Sequence, residues 1–150
     1  MSIKMLVLSL TGQCNFACRY CYAAEHDRSM MSPETALAAV KLAVAGGERF
    51  VIQFSGGEPL LNFACLQAVA DYVHQEKLPA ILQVQTNGSL LTDKIAKYLY
   101  RRKVAIGVSL DGRPAVNDKL RLKKNGYGAT GEILKGIDVL RRNNIACGVT

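Results

Sequence analysis

The chain has 150 residues, 49% of them hydrophobic, with 13 glycines, only 4 prolines and a formal net charge of +7. That length and composition exclude a disordered chain and allow one domain with a packed core. No apolar run comes near the roughly 18 residues of a membrane span, which excludes a transmembrane helix.

A strand–helix alternation runs through the whole chain. A first strand is predicted over residues 3–10, around the apolar run Met5-Leu6-Val7-Leu8. The first helix opens with Ser32 as N-cap and Pro33 at its first position, carries Leu37, Val40 and Val44 at helical spacing, and stops at Gly46-Gly47. A second strand covers residues 50–54, and a second helix sets Leu66, Val69 and Val73 on one face. A third strand covers 81–86, and a third helix, capped by Thr92, runs to about Tyr100. A fourth strand covers 104–110. After a polar stretch, a fourth helix shows Ile133, Ile137 and Leu140, and a fifth strand covers 145–150. Five parallel strands and four helices joined by right-handed crossovers make an α/β fold. Basic residues gather at Arg101-Arg102-Lys103, at 119–124 and at Arg141-Arg142. The first and last of these fall where helices end, and cations there complement the helix dipole. No aromatics are interleaved with them, so a nucleic-acid surface is disfavoured.

Between the first strand and the first helix stand Cys14, Cys18 and Cys21, spaced C-x3-C-x2-C. Disulfides would need an oxidising compartment. The N-terminus lacks the roughly 7–15-residue apolar region of a secretory signal, so a cytoplasmic protein with reduced thiols is expected. Zinc would want four ligands, with a second pair at metal-binding spacing. The remaining Cys65, Cys147, His26 and His74 form no such pair. Cys65 and Cys147 read as buried core thiols, His26 and His74 as surface residues. A cubane [4Fe–4S] cluster is usually held by four thiolates, so three leave one iron open to a ligand that is not protein.

The other unusual motifs share one address. Gly56-Gly57-Glu58-Pro59 follows the second strand, Thr86-Asn87-Gly88 the third, and Ser109-Leu110-Asp111-Gly112 closes the fourth. In a parallel βα array these ends lie on one face, where such folds put their active sites. The two glycines allow backbone to approach a ligand closely, and Glu58 offers an acceptor to an ammonium group.

The cysteine loop with an aromatic before its last cysteine, followed by Gly-Gly-Glu-Pro, resembles the radical S-adenosylmethionine superfamily. The runs from Phe54 to Leu61, Gln85 to Thr92 and Val108 to Gly112 resemble the branch of anaerobic sulfatase-maturating enzymes and related peptide maturases, as do Asn117-Asp118, Arg121, Gly126-Tyr127-Gly128 and Gly136-Ile137. Ser55 stands where that branch often has Gln, and Asn117 where it often has His.

The resemblance implies a partial TIM-like (β/α) barrel, with residues 1–150 as the N-terminal part of the core domain and the remaining strands and any auxiliary-cluster domain absent. It implies that Cys14, Cys18 and Cys21 ligate a [4Fe–4S] cluster and that S-adenosylmethionine chelates the fourth iron. Tyr20 would lie against the adenine, Gly56, Gly57 and Glu58 would hold the methionine ammonium, Ser109 the ribose or carboxylate region, and Arg121 the carboxylate, which its planar fork suits. Asn87 would orient a ligand or permit a turn. The implied activity is reductive cleavage to a 5′-deoxyadenosyl radical that removes hydrogen from a peptide or protein substrate. An acidic low-potential donor such as a flavodoxin or ferredoxin would supply the electron, and a basic chain suits such a partner. Two rivals stand beside this reading. One is a non-catalytic cluster or electron-transfer module with Cys147 or His26 as fourth ligand. The other is an inactive partial product, prompted by an apolar final strand with no covering helix.

Overall fold

The computed structural model describes residues 3–25 and 27–150; His26 lies outside the described residues. These residues form five strands, β1 (Met5–Ser9), β2 (Phe50–Ser55), β3 (Ala80–Thr86), β4 (Val104–Val108) and β5 (Gly148–Val149). Between them run α1 (Pro33–Val44), α2 (Phe63–Gln75), α3 (Asp93–Arg101), α4 (Pro114–Leu120) and α5 (Thr130–Arg142), with a 3-10 turn at Pro59–Asn62.

All neighbouring strands pair in parallel, in the order β1-β2-β3-β4-β5. Strand order equal to chain order, with crossovers of one hand, puts the helices on one side of the sheet. This is the arrangement of a barrel wall, and a doubly wound sheet would reverse direction at a switch point. Alternate strand residues confirm it. Leu8, Ile52, Phe54, Leu82, Val84, Ile106 and Val108 are buried together with Ala36, Val40, Leu66, Val69, Leu99, Ile133 and Leu140 of the helices. The other face carries Val7, Gln53, Gln83 and Ala105 in one register row, and these are exposed or half-buried.

The expected caps form. Ser32 accepts the Thr35 N–H at 3.2 Å and Thr92 accepts the Ile95 N–H at 3.3 Å. Arg101 and Arg142 close α3 and α5, as the dipole argument requires.

Three expectations are corrected. The polar stretch after β4 contains α4, so the described residues hold five α-helices. The fifth strand is only Gly148–Val149, because pairing with β4 reaches no further than Gly107 and Val108. Cys147 therefore precedes β5 and is half-buried. Cys65 is wholly buried in α2, as expected, and His74 is exposed.

Candidate functional site

The cysteine loop is stitched on both sides. Towards β2, the Gly57 N–H donates to the Thr11 carbonyl at 2.7 Å and the Glu58 N–H to the Gln13 carbonyl at 2.8 Å. Towards α4, Ala17 and Arg19 donate to the Leu122 and Leu120 carbonyls at 2.7 and 2.9 Å. Phe16, buried between them, anchors the loop in the core. This changes the reason for Gly56-Gly57. A Cβ on Gly56 would run into the Thr11 carbonyl, and one on Gly57 into the Gln13 carbonyl. The close approach that demands glycine is to the chain's own cysteine loop, and Gly56 adds a φ of +133° that favours glycine.

The loop so held turns Cys14, Cys18 and Cys21, all half-buried, into the wall of a cavity of about 190 Å³. Tyr20, Gly56, Gly57, Asn87, Ser109 and Arg121 line the same cavity. A second cavity of about 410 Å³ shares the three cysteines and adds Arg28 and Lys124. Burial pushes the Cys14 and Cys18 thiols up; the Phe16 N–H opposes this at Cys14 and the Arg121 charge at Cys18. Bound metal cations reverse such a shift by stabilising thiolate. Among the described residues no three Cys, His, Asp or Glu side chains close around a single ion. The three thiols face shared space.

Glu58 is held by three donors of the fold itself. It is 0% exposed. Its Oε1 accepts the Thr86 hydroxyl at 2.7 Å and the Leu60 N–H at 3.1 Å, and its Oε2 accepts the Asn87 N–H at 2.8 Å. Burial pushes its pKa up, against these three donors. The carboxylate clamps the β2 loop to the end of β3, beside Gly56 and Gly57 of the cavity wall. Asn87 extends the clamp: its amide donates to Asn15 at 2.9 Å and approaches the Cys14 sulfur at 3.8 Å.

At the other end of the cavity, Ser109 accepts from the Gln85 amide at 2.8 Å. Gly107 leaves room for that amide to fold over the sheet. Arg121 follows α4 and lies over the Tyr20 ring, 5.4 Å from its centroid. Its Nε donates to Asp111 Oδ1 at 3.1 Å and its Nη2 forms an ion pair with the same oxygen at 3.0 Å, while Asp111 Oδ2 accepts the Tyr20 hydroxyl at 2.6 Å. Burial, then this hydrogen bond, pushes the Tyr20 phenol up to about 12. Sequence reasoning named neither Gln85 nor Asp111 as a site residue, although both stand inside the motif runs it quoted. Cys147 precedes β5, which pairs with the C-terminal end of β4 on the edge of the sheet furthest from β1, and it lines neither cysteine cavity.

A family model described as the Radical SAM superfamily matches residues 8–150. The chain belongs to the radical SAM superfamily. An uncharacterised protein of Methanocaldococcus jannaschii is 37% identical over 150 residues, covering 99% of this chain and 52% of that protein. A cysteine-type anaerobic sulfatase-maturating enzyme of Clostridium novyi is 28% identical over 156 residues, covering 96% of this chain and 42% of its own length. Other curated relatives carry other names, a cyclopropyl synthase and an Fe-coproporphyrin III synthase among them. The solved structure of native anSMEcpe with bound AdoMet and Cp18Cys peptide superposes with a TM-score of 0.84 at 22% identity, over 99% of this chain and 42% of that one. The radical SAM chain thus spans about half or less of the relatives it matches. Membership implies a [4Fe–4S] cluster and S-adenosylmethionine as cofactors, and no helix among the described residues is long and apolar enough to cross a membrane.

Proposed function

We propose that this chain is the N-terminal part of the core of a radical SAM enzyme that modifies a peptide or protein. The carrying observation is one cavity walled by Cys14, Cys18 and Cys21, by Gly56 and Gly57, and by Ser109 and Arg121. The three thiolates hold three irons. The backbone of Gly56 and Gly57 takes the methionine ammonium, Arg121 takes the carboxylate, Ser109 the ribose side and Tyr20 the adenine. Asn87 keeps the cysteine loop in place through Asn15. Glu58 fixes the backbone around it through Thr86, Asn87 and Leu60. Bound there, the cofactor pair supplies reductive cleavage of the sulfonium and a 5′-deoxyadenosyl radical for hydrogen abstraction. The chain supplies binding, orientation and shelter from side reactions.

The peptide or protein class rests on likeness to the sulfatase-maturating enzyme and to the peptide-bound structure. An acidic low-potential donor suits the net charge of +7 and the Arg28 and Lys124 side chains beside the cysteines. The test is anaerobic reconstitution of the natural full-length protein with iron and sulfide, followed by dithionite and S-adenosylmethionine. Formation of 5′-deoxyadenosine and methionine is expected. A fully loaded cluster that yields neither overturns the proposal.

A further inference from the structure

We infer that Asp111 is a positioning residue for S-adenosylmethionine, holding Arg121 and Tyr20 in their binding arrangement; this rests on the reading proposed above. Tyr20 and Arg121 come from segments distant in sequence, the cysteine loop and the end of α4. Their backbones meet where the Arg19 N–H donates to the Leu120 carbonyl at 2.9 Å, but that backbone contact does not orient the two side chains. One carboxylate joins them. Asp111 Oδ2 accepts the Tyr20 hydroxyl at 2.6 Å, and Oδ1 accepts the Arg121 Nε hydrogen at 3.1 Å and pairs with Nη2 at 3.0 Å. With the guanidinium 5.4 Å from the Tyr20 ring centroid, all three sides of the triangle are made.

Asp111 is itself fixed from behind. Its N–H donates to Asn117 Oδ1 at 3.1 Å, and Asn117, wholly buried, donates on to Thr130 at 2.7 Å at the start of α5. The carboxylate thus stands on a scaffold tied to β4, α4 and α5. The Arg121 and Asp111 side chains are 14% and 20% exposed, so water screens this pair less than an ordinary surface pair.

Two roles compete, and they differ in sign. As a competitor, Asp111 would have to release Arg121 before a cofactor carboxylate could bind. As a positioning residue it makes binding cheaper in entropy. The geometry favours the second. A guanidinium has five N–H groups. Asp111 takes the Nε hydrogen and pairs with Nη2, leaving Nη1 for a second carboxylate. A long arginine already held in place loses less side-chain freedom when its ligand arrives. Charge points the same way. The cofactor carries a sulfonium and an ammonium against one carboxylate, and Asp111 offsets the repulsion that Arg121 alone would exert on that net cation.

The test is equilibrium dialysis of S-adenosylmethionine against the cluster-loaded, full-length protein under anaerobic conditions, with iron content and unfolding midpoint measured on the same samples. Asp111→Asn is expected to raise the dissociation constant about tenfold at unchanged iron content. Asp111→Glu should recover most of the loss, and Tyr20→Phe should cost less, because the pair with Arg121 survives it. In turnover, the KM for S-adenosylmethionine should rise while the rate at saturation stays within about twofold. Asp111→Asn binding as tightly as the wild type, or more tightly, overturns the inference. Should that variant lose its cluster, Tyr20→Phe decides: unchanged affinity overturns it. A wild-type protein that binds no S-adenosylmethionine with its cluster in place refutes the proposed function instead.

Discussion

Glu58 accepts the Thr86 hydroxyl at 2.7 Å from a position with no solvent exposure. This contact, with the Asn87 N–H on the other oxygen at 2.8 Å, ties the ends of two neighbouring strands beneath the cavity. Glu58→Gln keeps the size but turns one acceptor into a donor facing an N–H. A buried mismatch of this kind costs about 1–3 kcal/mol. Urea unfolding followed by circular dichroism should show that loss, and the loosened Asn87 should lower the iron retained per chain. An unchanged urea midpoint would mean that the clamp contributes nothing.

The fourth-ligand question has a direct outcome. Cys147 precedes β5, on the edge of the sheet furthest from β1, and lines neither cavity that holds the three loop cysteines. Cys147→Ser should therefore retain the iron content of the wild type after reconstitution, whereas Cys14→Ser, Cys18→Ser and Cys21→Ser should each lose most of it. Loss on Cys147→Ser would revive the electron-transfer rival.

Much of this was legible in the chain itself. The strand–helix alternation, the Ser32 and Thr92 caps and the four motifs at strand ends are local signals, and local chemistry decides them. What escaped was set by neighbours distant in sequence. The seven-residue α4 shows no apolar stripe, because one buried polar residue, Asn117, holds it in place. The glycines of 56 and 57 announce a close approach without saying to what, and only the fold reveals the Thr11–Gln13 backbone opposite them. Glu58 reads in sequence as an acceptor, but sequence cannot show that Thr86, Asn87 and Leu60 donate to it. The roles proposed for Ser109 and Arg121 start from the likeness to known maturases, while Asp111, two residues beyond Ser109, gained significance only from its partners.

Two glycines of α5 should respond oppositely to the same change. Gly136 packs on the Gly88 backbone, and a Cβ there would overlap the Gly88 carbonyl; at Gly131 nothing lies within 4 Å. Gly131→Ala should stabilise by about 0.5–1 kcal/mol through helix propensity and a less free unfolded chain. Gly136→Ala receives the same benefit but must push α5 off the loop after β3. The net effect expected is destabilisation of about 1–3 kcal/mol. Chemical denaturation of both variants checks the pair, and two changes of equal sign would contradict the packing.

Lys103 follows α3 with a φ of +54°, in the left-handed region that β-carbons disfavour. Lys103→Gly removes that strain at the position where helices usually stop on glycine. After the greater freedom of glycine in the unfolded chain is subtracted, a gain of about 0.5–1 kcal/mol is expected. Thermal unfolding should show a higher midpoint, and a lower one would contradict it.

Asp93 joins the start of α3 to the end of α5. Its carboxylate accepts Arg142 Nε at 3.0 Å and the Asn143 amide at 2.6 Å. The Arg142 hydrogen bond, then that of Asn143, pulls its pKa from 3.8 down to about 2. A carboxyl whose folded pKa lies below its unfolded value stabilises the fold above the unfolded pKa, and that contribution disappears as pH falls through the folded one. The wild type should therefore lose this contribution between pH 3.8 and about 2. Asp93→Asn, which has no proton to gain, should show a shallower acid limb over the same interval. Near neutral pH the two should differ little, because both partners are about half exposed and salt screens such pairs. Urea midpoints for both proteins at several pH values across that window measure the difference. Parallel acid limbs would mean that Arg142 and Asn143 do not hold Asp93 in solution, and that α3 and α5 are joined by their apolar contacts alone.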